Sequence, residues 1–284
     1  MSARDVLTRL IGSFGIAALA RRVLVRDGRF ALNFHGVSSL RYPDVAADLQ
    51  PHHSIEEFRR VLAWLAPRFA FLSVDDFLAT DKPGVLLTFD DGHANNLTNL
   101  LPLLAEFKAQ GLFFVSARHV KNPRDWLSFT RKDAVRGWGS EANVPEEFAR
   151  DCYDGLSESQ LAELAHSPFA VIGAHTVTHP SLPSCSPEEV RRELAESQKY
   201  LQQVSGQPVD TFAYPYGDYN RAVAEAAREV GFRAAFAVDS IRVGLPSFEI
   251  PRVGIYASDP HYLDLKLSGL HRPALRGSII KKDH

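Results

Sequence analysis

The stretch Val85-Leu86-Leu87-Thr88-Phe89-Asp90-Asp91-Gly92 carries the strongest structural signal in this chain of 284 residues. Its first five residues form a continuous, largely apolar run, which is typical of a β-strand buried on both faces. Two carboxylates and a glycine follow at once. Because side chains alternate along a strand, Asp90 and Asp91 should point in different directions and do different work. The structural alternatives are a helix N-cap and an Asp-Gly turn.

On both sides of this stretch, short apolar runs alternate with helical patterns. Three helix starts carry a serine followed three residues later by Glu or Gln, the pattern of a capping box. Alternating strands and helices predict an α/β fold with parallel βαβ units, although periodicity does not separate a barrel from an open sheet. Strands are predicted at 30–34, 85–89, 112–115, 169–173, 211–214, 234–238 and 249–253. Helices are predicted at 54–65, 97–110 and 222–230, with a short helix that begins at Ser157 and a long one that begins at Ser186.

We divide the chain into an N-terminal extension at 1–29, one domain at 30–256 and a C-terminal tail at 257–284. Residues 118–156 are more polar and less periodic than their surroundings, and we interpret them as a long insertion. Long loops on compact enzymes often act as binding loops or lids. The insertion is therefore a candidate for substrate recognition.

Composition excludes several classes of protein. The net charge is −2, which gives no electrostatic argument for nucleic acid as a partner. The two cysteines, Cys152 and Cys185, lie far apart and outside any CxxC pattern, so we expect free thiols. Since no apolar run reaches about 18 residues, we expect no transmembrane helix.

The N-terminal segment has two interpretations. Residues 10–20 are largely apolar, follow two arginines, and end in Ala18-Leu19-Ala20, which resembles a signal-peptidase site. However, two glycines and a serine interrupt the apolar run, and its apolar residues fall on one helical face. We favour an amphipathic helix that packs on the domain or touches a membrane surface. This predicts a cytoplasmic protein that can associate peripherally with a membrane, and a cleaved signal would instead predict an exported one.

Polar or turn-forming residues follow several predicted strands at the point where each ends. In a barrel, the carboxyl ends of parallel strands share one mouth, where active sites form. The sequence therefore predicts one site that draws on many segments. The residues at these strand ends are His35, Asp90, Asp91, His175, Pro215 and Arg252.

Two further motifs could contribute chemistry. In His175-Thr-Val-Thr-His179, the two histidines would share a face if the segment were helical, and could then reach one cation together with a carboxylate. In Phe212-Ala-Tyr-Pro-Tyr-Gly217, a turn could direct backbone N–H groups into the site, as an oxyanion hole requires. Taken singly, ordinary histidines and a plain β-to-α loop would explain these motifs equally well.

In combination, the motifs are specific. Thr88-Phe-Asp-Asp-Gly92, His175-Thr-Val-Thr-His179 and Tyr214-Pro-Tyr-Gly217, in this order, closely resemble the NodB-homology polysaccharide deacetylase family. The opening Leu32-Asn-Phe-His-Gly-Val37 also resembles the start of a branch that includes deacetylases of surface and exported polysaccharides. The resemblance extends over 30–256 and implies a distorted (β/α) barrel of about seven parallel strands.

The resemblance also implies roles for individual residues. It assigns Asp91, His175 and His179 as ligands of a divalent metal, Asp90 as the catalytic base, and the backbone N–H of Tyr216 as the oxyanion-hole donor. Zinc suits such mixed nitrogen and oxygen ligands, and cobalt, nickel or manganese could replace it. The implied activity is hydrolysis of N-acetyl groups on an amino-sugar-containing polysaccharide or a lipid-linked glycan precursor.

Two departures from the family pattern need compensation. Many relatives carry an arginine two residues before the proline of the third motif, where this chain has Ala213, and a late Leu-x-x-His-like motif that supplies a general acid is missing. We predict that Arg252 replaces the arginine. We predict that His35 protonates the leaving amine, although a structural role for this histidine is an equal alternative.

Substrate contacts are predicted from the aromatic and turn residues near the site, namely Tyr214, Pro215, Trp126 and Trp138. The expected partner is a glycan or a lipid-linked saccharide, with peripheral membrane contact possible through the N-terminal helix. A deformylase or cyclic-amide hydrolase of the same family is an alternative. A carbohydrate-binding protein that has lost catalysis is a second one.

Overall fold

The computed structural model describes residues 29–238 and 244–267. The predicted N-terminal helix and the signal-peptide alternative lie outside these residues. Within them, none of the helices is long and apolar enough to cross a bilayer.

Seven parallel strands form a closed barrel. The strand order is β1-β4-β5-β6-β7-β8-β9, and β9 closes the barrel by pairing with β1. The predicted α/β barrel is thus confirmed, and the observed strands start or end within one residue or so of the predicted ones. A separate pair, β2 and β3, joins two short segments beside the mouth. The strands are β1 Arg29–Phe34, β2 Val37–Ser38, β3 His53–Ser54, β4 Gly84–Phe89, β5 Gly111–Val115, β6 Ala170–Ala174, β7 Thr211–Ala213, β8 Ala234–Ala237 and β9 Ile250–Gly254.

Most helices surround the barrel, and their starts follow the predicted caps. All three predicted capping boxes, opened by Ser54, Ser157 and Ser186, form in both directions. Each cap satisfies backbone N–H groups that have no partner within the helix. The helices are α1 Ile55–Leu65, α2 Val74–Ala79, α3 Leu101–Glu106, α4 Ala117–Lys121, α5 Ser128–Trp138, α6 Glu146–Cys152, α7 Glu158–Ala165, α8 Pro187–Ser205, α9 Arg221–Val230 and α10 Pro260–Leu267.

The barrel has two distinct hydrophobic layers. One cluster combines Leu86, Phe114 and Phe236 from the strands with residues of α2, among them Phe77. The second, larger cluster lies between the strands and the surrounding helices. Since alternate residues of a strand face opposite sides, Leu86 shares its face with Asp90 four residues later. This alternation directs Asp90 into the mouth of the barrel.

Outside the insertion, the structure differs from the sequence predictions in three helical regions. The helix predicted at 97–110 consists of a π-helical turn, Asn96–Leu100, followed by the short α3. Pro102 lies in the first turn of α3, where a missing N–H costs no helical hydrogen bond. Helix α2, with only six residues, and α10, within the predicted tail, were not predicted. Both are too short for periodicity to reveal them.

The insertion is helical rather than a plain loop. It contains α5 and α6 and most of α4, and it has a small core of its own. That core is made by Trp126, Ala134, Val144, Phe148, Ala149, Cys152 and Tyr153. Its polar composition concealed the helices because only a narrow face of each is buried.

Candidate metal-binding active site

Asp91, His175 and His179 meet in one buried cluster at the mouth of the barrel. Asp91 Oδ1 lies 3.7 Å from His175 Nε2 and 3.5 Å from His179 Nε2. One donor atom from each residue lies within 4.8 Å of the others. Two imidazoles and one carboxylate are the donor types that bind zinc and related ions, and three protein ligands leave a position open. The residues present therefore fit a catalytic divalent metal.

The loop that carries the two histidines is not helical, contrary to the geometry that the HxxxH spacing suggested. Thr176 and His179 have positive φ angles of 65° and 58°. The His179 N–H donates to Thr176 Oγ1 at 2.9 Å. The buried Glu193 carboxylate of α8 accepts the N–H groups of Val177 and Thr178 at 2.8 and 2.9 Å. Sequence reasoning missed Glu193, because nothing local marks a helix glutamate as a partner of this loop.

Hydrogen bonding orients the imidazole of His175, and burial keeps that of His179 neutral. His175 Nδ1 lies 2.8 Å from the carbonyl oxygen of Ala213. Since a carbonyl only accepts, Nδ1 donates to it, and Nε2 is the ring nitrogen that faces Asp91. Burial, together with the neighbouring His175, lowers the pKa of His179 to about 4. His175 thus presents Nε2 to the cluster, and His179 is held in the neutral form that binds a metal.

Asp90 is held by Arg252 rather than by the cluster. Arg252 Nη1 and Nη2 donate to the two carboxylate oxygens at 2.6 and 2.8 Å, and Nη1 also lies 3.1 Å from Thr88 Oγ1. Burial would raise the pKa of Asp90, but Arg252 and His175 hold that pKa below its usual value. Arg252, which the sequence suggested as a replacement for the missing arginine, thus contacts both carboxylate oxygens of Asp90. Ala213 lies in the same interior layer as Phe114, over which the guanidinium lies at 5.3 Å.

Backbone strain is concentrated at this site. Among the described residues, five other than glycine have positive φ, and four of them are Asp91, Thr176, His179 and Tyr216. Such conformations cost free energy and persist only where the surrounding structure holds them. Their clustering here indicates that local geometry is constrained by function.

The family model for polysaccharide deacetylases matches residues 78–235. This segment is more than half of the chain and contains all three motifs. The chain belongs to the polysaccharide deacetylase family. The membership predicted from the motifs is confirmed.

Individual relatives agree with this family assignment. The chain is 24% identical over 229 residues to poly-beta-1,6-N-acetyl-D-glucosamine N-deacetylase of Staphylococcus aureus (strain MSSA476), covering 77% of this chain and 72% of that protein. It is 26% identical over 159 residues to a chitooligosaccharide deacetylase of Rhizobium leguminosarum bv. trifolii, covering 56% and 58%. The chain spans 54% to 61% of the length of three curated relatives that it matches.

A solved structure supports the fold. IcaB from Ammonifex degensii superposes with a TM-score of 0.62 at 24% sequence identity, covering 85% of this chain and 97% of that one. The two chains therefore share a fold.

The remaining predicted residues of this family member lie at different depths. His35 is part-exposed at the mouth, with Nε2 4.0 Å from Asp91 Oδ2. Tyr216 is 49% exposed, and its ring lies 4.7 Å from that of His179. Both thus lie beside the cluster.

Three of the four predicted substrate contacts are not placed for that role. Tyr214 is fully buried, and its hydroxyl donates to the carbonyl of Phe248 at 2.8 Å. Trp126 is 6% exposed, and Trp138 packs against the same insertion core. Burial removes Tyr214 and Trp126 from the substrate set, whereas Trp138 is half-buried with its ring packed on the insertion core. Pro215 is also buried and shapes the turn before Tyr216.

A cavity of about 220 Å³ lies beside Asp91. One wall comes from the segments around His35 and His52, and the other from Phe129 and Asp133 of α5 in the insertion. A larger cavity of about 370 Å³ lies between α8 and α9 and contains none of the predicted site residues. The smaller cavity is therefore the candidate substrate site.

Sequence reasoning also missed His93. Its Nε2 lies 3.5 Å from Asp91 Oδ2, and its side chain lines the same cavity. The residue directly follows the Asp-Asp-Gly motif, so its position in sequence was the available signal.

Proposed function

We propose that this protein hydrolyses the N-acetyl group of an amino sugar in a glycan, using a divalent metal held by Asp91, His175 and His179. The observation that carries the proposal is the buried three-donor cluster beside a carboxylate with its own buried cation. When bound, the metal would supply Lewis-acid activation of the amide carbonyl and of the attacking water. Zinc is the ion that we expect.

Asp90 is suited to take a proton from the attacking water. The bidentate contact with Arg252 keeps this carboxylate ionised and fixes its plane. A general base must be both deprotonated and positioned, and this pair provides both conditions. Arg252 thereby orients the catalytic aspartate, as an arginine two residues before the proline of the third motif does in many relatives.

Two other groups complete the proposed reaction. The backbone N–H of Tyr216, in a turn held in a positive-φ conformation, would donate to the oxygen that becomes negative as water attacks. His35, at the open side of Asp91, would give a proton to the departing amine. The part-exposed position of His35 gives it access to substrate that the buried imidazoles do not have.

The insertion is proposed to set substrate choice. Phe129, Thr130 and Asp133 line the cavity, and a cavity of about 220 Å³ is smaller than the roughly 300–1,000 Å³ of pockets for drug-sized ligands. The site would therefore enclose about one sugar unit and its acyl group. Poly-N-acetylglucosamine and chitooligosaccharides, named in two relatives, are the first substrates to test.

The test combines metal content with product analysis. Protein loaded with zinc is incubated with oligomers of poly-beta-1,6-N-acetylglucosamine and, separately, with chitooligosaccharides. Mass spectrometry follows the loss of acetyl groups. N-formylated and cyclic-amide substrates are included as the alternative amides. Metal binding with no release of any acyl group would favour the carbohydrate-binding alternative and contradict the proposal.

A further inference from the structure

Two buried histidines next to the cluster have no place in the proposed reaction. His93 and His119 lie with ring centroids 5.5 Å apart and planes at 87°. Both are buried, and each has one ring nitrogen without a hydrogen-bond partner among the described residues. Buried polar atoms are costly unless they serve a purpose, so the pair needs an explanation.

The side chain of Asp91 has two different faces. Oδ1 lies within 3.7 Å of both His175 and His179, whereas Oδ2 lies 3.5 Å from His93 Nε2. Oδ2 is buried, and no described group satisfies it within normal hydrogen-bond geometry. His93 is thus placed to donate an N–H to Oδ2, with only a small approach required.

The backbone of Asp91 is held from the other side. Its carbonyl oxygen lies 3.4 Å from His119 Nδ1 and accepts the Ser116 N–H at 3.4 Å. Asp91 has a φ of 78°, which a residue with a side chain adopts only under constraint. His119 and Ser116 supply constraints of this kind.

The contacts of His93 and His119 with Asp91 both lie where the insertion joins the barrel. His119 belongs to α4, at the start of the insertion, and His93 forms a β-bridge with Gly155 at the end of the insertion. The Leu156 N–H also donates to the Gly92 carbonyl at 2.9 Å. A Cβ atom at Gly155 would lie 2.5 Å from the carbonyl oxygen of His119, so only glycine allows this close packing. The two ends of the insertion therefore enclose the segment that carries Asp91.

We infer that His93 and His119 are positioning residues that hold Asp91 with Oδ1 towards the metal, His93 through the side chain and His119 through the backbone. The inference rests on the proposed metal site. It divides the insertion into a base that supports metal binding and a distal part, around α5, that faces substrate. Outer partners of ligands commonly change metal affinity by about 10–100-fold.

The experiment compares three substitutions of His93, namely His93→Gln, His93→Asn and His93→Phe. Glutamine can place an amide N–H about where imidazole Nε2 lies, asparagine stops short of it, and phenylalanine fills the space with no donor. Zinc affinity is measured by competition with a chromogenic chelator, and the absorption spectrum of the cobalt-loaded protein reports ligand geometry. The melting temperature of each metal-free variant is measured separately. The matched control is His166→Asn, at an exposed histidine.

We expect His93→Phe and His93→Asn to weaken zinc binding about 10–100-fold and to alter the cobalt spectrum, with His93→Gln close to the wild type. Gly155→Ala, which displaces His119, should weaken binding in the same direction. If His93→Phe does not fold, the comparison of Asn with Gln carries the test.

Unchanged zinc affinity and cobalt spectrum in both His93→Asn and His93→Phe would overturn the inference. A raised KM with unchanged affinity would also overturn it, because His93 would then contact substrate. A wild-type protein that binds no metal would refute the proposed function and this inference together. The inference is supported if zinc binding is weakened in His93→Asn and His93→Phe but not in the wild type or the His166 control.

Discussion

The strand-end loops of the barrel mouth and the distal part of the insertion border the same cavity, yet they are built differently. The loops are short, buried and strained, and the sheet holds their polar side chains. The distal insertion packs on its own small core and attaches to the domain through contacts such as Arg136 to Asp48 at 2.7 Å, which are half exposed. Rigid placement suits chemistry, whereas an independently packed wall can vary without disturbing it.

The largest expected effect comes from removing a metal ligand from the strained strand-end loops. His175→Ala removes a ligand, so we expect loss of bound zinc and of activity down to the background rate. Metal analysis of the purified protein and a deacetylation assay check this. The control is His166→Ala on the exposed end of α7, which should keep both. Full activity after exhaustive chelation of the wild type would contradict the metal assignment.

The next effect separates the two adjacent carboxylates. Asp90→Asn should keep bound metal but lower kcat by about 10²–10⁴-fold, because positioned proton transfer is lost. It should also destabilise the protein, since Arg252 is left buried without its counterion. Zinc content and kcat are measured on the same preparation. A variant without metal would show that the roles of Asp90 and Asp91 are exchanged.

A smaller effect is expected from the cation across the barrel. Burial raises the pKa of Asp90 and Arg252 lowers it, so Arg252→Leu should raise this pKa and move the acidic limb of the pH–rate profile to higher pH. Breaking a buried pair costs about 3–5 kcal/mol of unfolding free energy. Because the folded pKa is depressed, this contribution exists above the pKa of an unfolded aspartate and disappears as pH falls through the folded value.

Denaturant unfolding and a pH–rate profile test the Arg252 prediction. Arg59→Leu, which removes an exposed pair with Glu106, is the matched control and should change neither by much. An unchanged acidic limb would leave Arg252 with a structural role alone.

The smallest effect tests the insertion wall. Phe129→Ala should raise KM for a glycan oligomer several-fold, while zinc content and turnover of a small activated acetyl ester stay near the wild type. The expectation follows from the place of Phe129 in the cavity wall, with its ring 5.6 Å from that of His179. Equal losses on glycan and small ester would show that the distal insertion supports the chemistry as well.

What the sequence by itself determined is local. A largely apolar run of five residues before Asp90 predicted a buried strand, and serine caps predicted three helix starts. Three motifs predicted the family and the cluster of one aspartate and two histidines. Each of these signals depends on neighbours within a few residues, where side-chain period and backbone hydrogen bonding act.

Only the tertiary structure decided which distant groups meet. The sequence offered Arg252 only as a hypothesis, and the fold pairs it with Asp90 across 162 residues of chain. Glu193 of α8, which the sequence did not suggest, holds the His175–His179 loop. Tertiary packing also buried Trp126 and Tyr214, which the sequence had suggested for substrate. The physical reason is that barrel closure and helix packing determine these contacts, and both depend on the register of all seven strands together.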